Sequence, residues 1–441
     1  MFSITTVLSI VGAIIGLGFM VTIHEFGHFL AARFFGVRVD VFSFGFGTRL
    51  FGVKRGNTDY SVRILPFGGY VRMAGDNISE ERTGAPDEFL SKPRWQRVCI
   101  ALAGPCMNAL TALIVFAFIY GGVNEQPQYA DKPIDVAGIF KASPADQSGI
   151  RPGDRIVDLN GIDNPTWERA HFEAFFALPG AQLPLTIDRG GESIHTTVNS
   201  NRDEFEMFGY PAEPIIVDFI TPGSPAERAG LRPGDKIISY AGVPTEAWST
   251  FTQLVKQTED RPTQMGIDRN GHPMILQIRA IKADLGDGMG ARWSLGFKRH
   301  IDTERVQKGV FDSIGFSVWF NARLTRQMLD LVGQLFVGKA SLKDVSGPVG
   351  IVAVSGQAVR AGFRSFFFFM AYISLNLFVV NLLPIPILDG GHIIVLAAEG
   401  VLRHDLSLKV KERFLQVGFV FILVIFALVM YNDVLRVFLH S

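Results

Sequence analysis

The residues of this chain that are best suited to chemistry form one short run, His24-Glu25-Phe26-Gly27-His28. On a helix, residues four apart lie on one face, so both histidines can reach a single zinc ion. The glutamate then lies beside the position that a catalytic zinc leaves open for water, where it can take the proton of that water. The run therefore predicts a catalytic zinc site with Glu25 as the general base.

The apolar surroundings of this run favour a functional role in a membrane. Residues 1–23 carry no charge, and the first charged residue after the run, Arg33, lies about 13 Å of helix beyond His24. Ionisable groups inside an apolar helix are expensive and usually functional. The start of the chain lacks the basic residues of a signal peptide, so we expect a retained membrane helix. The alternative is a structural histidine pair near a helix end.

The third zinc ligand should come from another part of the chain, because a catalytic zinc normally has three protein ligands and one open position. Asp389 follows an apolar segment, 365–388, that contains Pro384 and Pro386. The prolines predict a broken helix, which is tolerated at membrane depth where it lines a cavity. We predict Asp389 as the third ligand. His392 is a competing ligand, and an interfacial helix-terminus charge is the alternative role for Asp389.

The composition indicates a membrane protein with several domains. The chain has 441 residues, of which 48% are hydrophobic. Lys+Arg and Asp+Glu both count 42, so the chain lacks the charge excess expected of a nucleic-acid-binding protein. Cys99 and Cys106 lie in one apolar run, about 10.5 Å apart along a helix axis, which is too far for a disulfide.

Four segments are long and apolar enough to span a bilayer, and we predict transmembrane helices over 1–36, 96–122, 364–400 and 412–437. Basic residues in short loops set the orientation. Eleven Lys/Arg lie around the first short loop, counted from Arg33 to Arg97, and four lie around the second, counted from Leu402 to Arg413. Both short loops should therefore face the cytoplasm, with the zinc motif toward that side. Both termini and the long middle segment should face the opposite side.

Two motifs together resemble a known family. The HEFGH run and the N-x-x-P-x-P-x-L-D-G-G run at 381–391 resemble the site-2 protease family of intramembrane metalloproteases. In that family the two histidines and the aspartate bind zinc and the glutamate is the general base, which implies these roles for His24, His28, Asp389 and Glu25. The resemblance also implies substrate-binding residues in the third span, namely Asn376, Asn381, Pro384 and Pro386. Part of the family pattern also lies in the second span, at Gly104, Pro105 and Asn108.

The middle of the chain contains an internal repeat. Residues 143–156 recur as 224–237 with an offset of 81, in the pattern S-P-A followed by a glycine and R-P-G-D. This pattern resembles bacterial PDZ domains, and we predict one at 127–206 and one at 207–300. Such domains bind extended peptides by adding a strand to a sheet edge. Spacer domains without a ligand are the alternative.

Two further segments have clear periodicities. Alternating apolar and polar residues with many glycines predict membrane-associated β-hairpins within 37–95, on the cytoplasmic side beside the zinc motif. A strand edge there could hold an unwound substrate, or the hairpins could be ordinary interfacial structure. Leu324, Met328, Leu331 and Leu335 recur at helical spacing, which predicts an amphipathic juxtamembrane helix within 305–363.

The sequence thus predicts a polytopic α-helical membrane protein with four transmembrane helices, cytoplasmic-side β-hairpins and two periplasmic PDZ domains of α+β class. We expect it to hydrolyse peptide bonds within single-span membrane proteins, using one zinc ion per chain. Members of the resembled family with this domain order imply a bacterial inner membrane and a trimmed anti-sigma factor as substrate, with remnant signal peptides as further candidates. The lipid bilayer and PDZ-bound peptides are the other expected partners.

Two other classes of function would require features that this sequence lacks or would not need. A zinc-stabilised membrane scaffold would have a closed site with four protein ligands and would not need Glu25. A transporter with broken helices would show repeated transmembrane halves, whereas the repeat here lies in the soluble part. Both features favour the protease.

Overall fold

The computed structural model describes residues 4–76, 83–177, 180–201, 203–245, 248–284, 291–300, 302–338, 347–360 and 362–439. The chain forms two compact units. The first combines Met1–Val123 with Gln307–Ser441, and the second is Asn124–Val306. The site residues predicted from the sequence all belong to the first unit.

The N-terminal part of the first unit pairs two long helices with a β-hairpin. Its elements, in chain order, are α1 (Ile4–Phe34), β1 (Val39–Arg55), β2 (Thr58–Met73), a short 3-10 helix (Phe89–Ser91) and α2 (Arg94–Gly121). Strands β1 and β2 pair antiparallel, at the place where the alternating pattern predicted strands. The start of the hairpin packs on the end of α1, where Phe29 and Val39 share a core with Ile100 of α2.

Glycines bring these elements unusually close together. A Cβ atom at Gly27 of α1 would lie 2.2 Å from the carbonyl oxygen of Ala103 on α2. A Cβ at Gly69 of β2 would lie 2.7 Å from the Cα of Thr22 on α1. Real side chains do not tolerate such distances, so glycine at both positions lets α2 and the hairpin approach the zinc motif from two sides.

The second unit contains two lobes that use the repeated sequence in the same way. The first lobe follows β3 (Val123–Pro127), and its elements are β4 (Ile134–Asp135), α3 (Pro144–Gln147), β5 (Arg155–Leu159), β6 (Ile162–Asp163), α4 (Trp167–Phe176), β7 (Gln182–Arg189), β8 (Glu192–Asn199) and α5 (Glu204–Phe208). Its sheet has the order β4-β5-β7-β8, with β6 beside β5. Phe208 packs in the core of this lobe, so its packing continues past residue 206.

The second lobe repeats the arrangement with an added strand. Its elements are β9 (Ile215–Ile220), α6 (Pro225–Arg228), β10 (Lys236–Tyr240), β11 (Val243–Pro244), α7 (Trp248–Thr258), β12 (Thr263–Arg269), β13 (His272–Ile278), β14 (Ile281–Asp284), β15 (Ala291–Ser294) and β16 (Phe297–His300). The main sheet has the order β13-β12-β10-β9-β16. A final strand, β17 (Thr303–Gln307), pairs with β3.

The repeated residues form the same hydrogen bonds in both lobes. Ser143 accepts a hydrogen bond at the start of α3 and Ser224 does so at the start of α6, as expected of helix N-caps. The aspartate of each P-G-D turn is buried and accepts hydrogen bonds from an arginine two strands later. These pairs are Asp154 with Arg189 and Asp235 with Arg269.

The C-terminal part of the first unit is helical. Its elements are α8 (Val310–Phe336), α9 (Pro348–Arg360), α10 (Phe363–Leu382), α11 (Asp389–Leu402) and α12 (Leu408–Leu439). The first half of α8 packs on α2. Phe320 is fully buried, its ring lies 4.8 Å from that of Phe116, and Ser317 Oγ donates to the carbonyl of Leu113. The predicted amphipathic helix therefore covers part of α2.

Within the part of the chain that the structure describes, four helices are long and apolar enough to cross a membrane. They are Ile14–Phe34, Arg94–Gly121, Phe363–Leu382 and Leu408–Asp433. The third predicted span, 364–400, is interrupted: α10 ends at Leu382 and α11 begins at Asp389. The interruption coincides with the two prolines, whose missing N–H groups cannot continue a helix.

Candidate active site

The two histidines of α1 lie on one face, as their spacing requires. Both are buried, and their Nε2 atoms lie 3.1 Å apart. The imidazole rings meet edge to face, with centroids 4.8 Å apart. His28 is oriented by α2, because its Nδ1 lies 2.8 Å from the carbonyl oxygen of Ile100. A carbonyl can only accept, so Nδ1 of His28 carries the proton and its Nε2 lone pair is free to bind a metal.

Asp389 reaches the two histidines from the first residue of α11. Residues 383–388 form a non-helical turn, in which Ile387 adopts a positive φ of 84°. The two glycines after Asp389 allow the turn to fold back on itself, since a Cβ at Gly390 would lie 2.2 Å from the carbonyl oxygen of Leu383. The position of Asp389 at the N-terminus of a 14-residue helix also favours a negatively charged carboxylate.

The three candidate ligands converge on one point. Asp389 Oδ2 lies 3.0 Å from His24 Nε2, and Asp389 Oδ1 lies 3.4 Å from His28 Nε2. A tetrahedral zinc with ligand bonds of about 2.0–2.2 Å separates its ligand atoms by about 3.3–3.5 Å. The observed separations, including the 3.1 Å between the two Nε2 atoms, are close to that spacing. Two imidazoles and one carboxylate are also a ligand set of catalytic zinc sites.

Glu25 lies on the same cavity but outside this triad. The cavity has a volume of about 710 Å³ and is lined by all four residues, together with part of β2. The backbone of Val71 on β2 is a hydrogen-bond partner of the Glu25 carboxylate. A Cβ at Gly69 would lie 3.2 Å from Glu25 Cγ, so the hairpin passes directly beside this side chain. The strand therefore fixes Glu25 at the edge of the metal site, where a base is needed.

The structure distinguishes between Asp389 and His392 as the third ligand. Among the described residues, the group of metal-binding side chains whose ligand atoms all lie within 4.8 Å of one another comprises His24, His28 and Asp389. His392 lines the same cavity but does not belong to that group. The geometry therefore favours Asp389 over His392 as the third ligand.

The four residues that the family resemblance implied for substrate binding do not all lie at the cavity. Asn381, in the last turn of α10, lines the cavity. Asn376 does not line it, and its side-chain N–H donates to the carbonyl of Tyr372 in its own helix. Pro384 is exposed, and Pro386 packs toward α12, where a Cβ at Gly418 would lie 2.2 Å from the Pro386 Cβ. Only Asn381 of these four therefore borders the catalytic cavity.

Sequence reasoning missed the contacts that surround the ligands. It gave no role to Ile100, whose carbonyl orients His28, or to the backbone of Val71 beside Glu25. Main-chain contacts leave no signature in residue type. Asn108 was named only as part of a pattern, although a fully buried amide in an apolar helix is itself a signal.

The sequence of this chain is similar to those of known proteases. The family model of Peptidase family M50 matches residues 12–425. "Protease RseP" of Yersinia pestis is 29% identical over 97% of this chain and 98% of its own length. "Putative zinc metalloprotease" of Vibrio cholerae is 30% identical over 96% of this chain and 97% of its own. "Regulator of sigma-E protease RseP" of Escherichia coli is 29% identical over 96% of this chain and 97% of its own.

Proposed function

This chain is a zinc metalloprotease of Peptidase family M50, the site-2 protease family, and from that premise we propose that it cuts peptide bonds within the transmembrane segments of single-span proteins. The observation that carries the proposal is the convergence of His24, His28 and Asp389 beside Glu25, with both histidines and the glutamate on a helix of membrane-spanning length. A site on such a helix is suited to substrates that are themselves in the bilayer. Its four apolar helices and its relatives support a location in the inner membrane.

His24, His28 and Asp389 are the residues that would hold the zinc ion. A zinc ion held by these residues would supply an activated water, because zinc lowers the pKa of bound water toward about 7. Because three protein ligands leave one tetrahedral position open, the ligand set suits catalysis rather than structural support. This argues against the scaffold alternative, in which a fourth protein ligand would close the site.

Glu25 acts as the general base of the proposed reaction. Its carboxylate takes a proton from the attacking water and then passes that proton to the nitrogen of the leaving amine. The Val71 backbone and the close approach of Gly69 hold the side chain at the cavity edge during both transfers. Removing the carboxylate should abolish hydrolysis without removing a metal ligand.

The cavity also offers partners to a substrate whose helix has unwound. A peptide bond in a helix is shielded by its own hydrogen bonds, and each backbone group left unpaired in the membrane costs about several kcal/mol. Asn381 lines the cavity, and the non-helical turn at 383–388 and strand β2 lie beside it. We assign substrate contact to Asn381 first, and we retain Asn376, Pro384 and Pro386 as second candidates.

The names of the relatives support a proposal for the substrate class. Two of them are named as RseP and one of these as a regulator of sigma-E, which supports a single-span anti-sigma factor as the substrate. The shared use of S-P-A caps and buried Asp–Arg pairs supports two PDZ domains in the second unit. The distribution of basic residues supports their periplasmic placement, with both termini on that side and the catalytic site toward the cytoplasm.

The decisive experiment compares wild type with Glu25→Gln on a model single-span substrate. Both proteins should bind one zinc per chain, and only wild type should cut. Glu192→Gln makes the same chemical change at an exposed position of β8 and should behave as wild type. Substantial cleavage by purified Glu25→Gln would disprove the general-base assignment.

A further inference from the structure

Helix α2 contributes none of the proposed ligands, yet it contacts the outer nitrogen of both imidazoles. Besides the Ile100 carbonyl at His28, the side-chain Nδ2 of Asn108 lies 3.2 Å from Nδ1 of His24. Asn108 is fully buried within α2, which is otherwise apolar here. Burying an amide costs free energy unless it is hydrogen-bonded, so its contact with His24 needs an explanation.

We propose that Asn108 is a positioning residue that accepts a hydrogen bond from Nδ1–H of His24 and thereby keeps the Nε2 lone pair of His24 directed at the metal. The inference rests on the proposed ligand role of His24. Metal-binding histidines almost always donate their second ring N–H to an oxygen, which fixes both the tautomer and the ring plane. His28 already has such an oxygen in Ile100, and Asn108 is the counterpart for His24.

The tautomer that His24 needs for metal binding determines which end of the Asn108 carboxamide faces it. With Nδ2 donating to Nδ1, the proton of His24 would sit on Nε2, and that nitrogen could not bind zinc. The oxygen and nitrogen of an asparagine exchange places by a half-turn of the carboxamide. After that exchange Oδ1 accepts from His24, and Nδ2 takes the place now 3.5 Å from Ser374 Oγ. Ser374 Oγ has a lone pair for it, so every group has a complementary partner.

The contact with Ser374 also helps to decide whether the Asn108 carboxamide serves the metal site or only the packing of α10 on α2. Ser374 Oγ on α10 donates to the main-chain carbonyl of Asn108 at 2.9 Å. Any residue at position 108 would keep that bond, so the link between α10 and α2 does not require an asparagine. The close polar contact that depends on the side chain is the one to His24, and we therefore assign the carboxamide to His24.

The test measures zinc affinity of the full-length protein in detergent by competition with a chelator. Asn108→Leu keeps the approximate shape and removes the acceptor, and should weaken zinc binding about 10–100-fold, as loss of an outer hydrogen bond does at other metal sites. Asn108→Asp keeps an oxygen acceptor and should retain the wild-type affinity. Thr111→Val, about one turn further along α2, removes a hydroxyl that donates to the carbonyl of Met107 in the same helix, and is the matched control.

A spectroscopic measurement tests orientation directly. The absorption bands of bound Co²⁺ report ligand geometry, and we expect them to change in Asn108→Leu and to match wild type in Asn108→Asp and Thr111→Val. Wild-type affinity in Asn108→Leu would overturn the proposal. A loss of more than about tenfold in Asn108→Asp would also overturn it, and decides the matter even if the leucine variant does not fold. His24→Ala tests the premise separately, because normal zinc binding in that variant would remove His24 from the ligand set.

Discussion

Gly104 on α2 faces His28 on α1 so closely that a Cβ atom at position 104 would lie 2.3 Å from His28 Nε2. The same atom would lie 2.8 Å from Nε2 of His24. Both distances are below any that real side chains adopt, so a methyl group would occupy the space in which the two nitrogens converge. The absence of a side chain at this position is therefore a requirement of the proposed metal site, although glycine has no side chain that could bind a metal.

Gly104→Ala should accordingly lose zinc even though alanine favours helix formation. We expect zinc content, measured by elemental analysis of the purified protein, to fall from one per chain to near zero. Gly12→Ala is the matched control, because a Cβ at position 12 of α1 meets only ordinary contact, 3.7 Å from Val359 Cγ2. A zinc-loaded Gly104→Ala protein would show that the histidines can converge elsewhere.

Separate alanine substitutions of Asp389 and His392 on α11 test which residue is the third ligand. Asp389→Ala should lose both zinc and proteolysis, because it removes an oxygen that lies 3.0 Å from His24 Nε2. His392→Ala should keep its zinc, since His392 lies outside the converging group. Zinc content and cleavage are measured on both variants. The opposite pattern, with metal lost only in His392→Ala, would assign the third ligand to His392.

The buried ion pair of the second lobe predicts a pH-dependent contribution to stability. Burial of Asp235 disfavours its charged form, but hydrogen bonds from Arg269 and from the backbone of Arg232 outweigh this and lower its pKa. The unfolded value is about 3.9. A carboxylate with a lowered pKa stabilises the fold fully above the unfolded value and loses that contribution as pH falls through the folded value.

Asp235→Asn should therefore destabilise the lobe by about 3 kcal/mol at neutral pH, as expected when one member of a buried ion pair is removed. The difference from wild type should shrink as pH falls below about 3.9, because the aspartate of the unfolded wild-type chain then binds a proton while the folded one stays charged. Thermal unfolding at both pH values measures this. Asp135→Asn breaks an exposed pair with Arg155 and should cost less than about 1 kcal/mol. Equal effects of the two variants would mean that burial adds nothing.

The two lobes should restrict substrate access rather than take part in hydrolysis. The structure offers a clean deletion, because Gln128 N donates to the carbonyl of Asp302 at 3.0 Å, beside the paired strands β3 and β17. Joining the chain there removes both lobes and keeps the strand pair. We expect the shortened enzyme to cut both a trimmed substrate and one with a large extracytoplasmic domain, whereas the full enzyme cuts only the trimmed form.

Two results would replace this model of access. A zinc-loaded deletion variant that cuts neither substrate would show that the lobes deliver substrate. A variant that still cuts only the trimmed form would place selection elsewhere, with the β1–β2 hairpin as the next candidate. Cleavage of both substrates by both enzymes, followed on gels, distinguishes the three outcomes.

The sequence predicted those parts of the site that depend on local spacing. The i, i+4 histidines required only a helix, and Pro384 and Pro386 required a break before Asp389; both occur. The family resemblance is confirmed by the match over residues 12–425. The approach of β2 to Glu25 and of Asn108 to His24 could not be predicted, because each depends on packing between elements far apart in sequence. The packing of α8 on α2 escaped prediction for the same reason.

The proposed ligands are divided between α1 and α11, near opposite ends of the chain, and this has a consequence for biosynthesis. Ribosomes make the N-terminal helix first, and chains fold as they emerge. His24 and His28 thus enter the bilayer long before Asp389 exists. A half-made chain has both imidazoles but lacks Asp389, the proposed third ligand. On this assignment, hydrolysis has to await synthesis of the segment that carries Asp389.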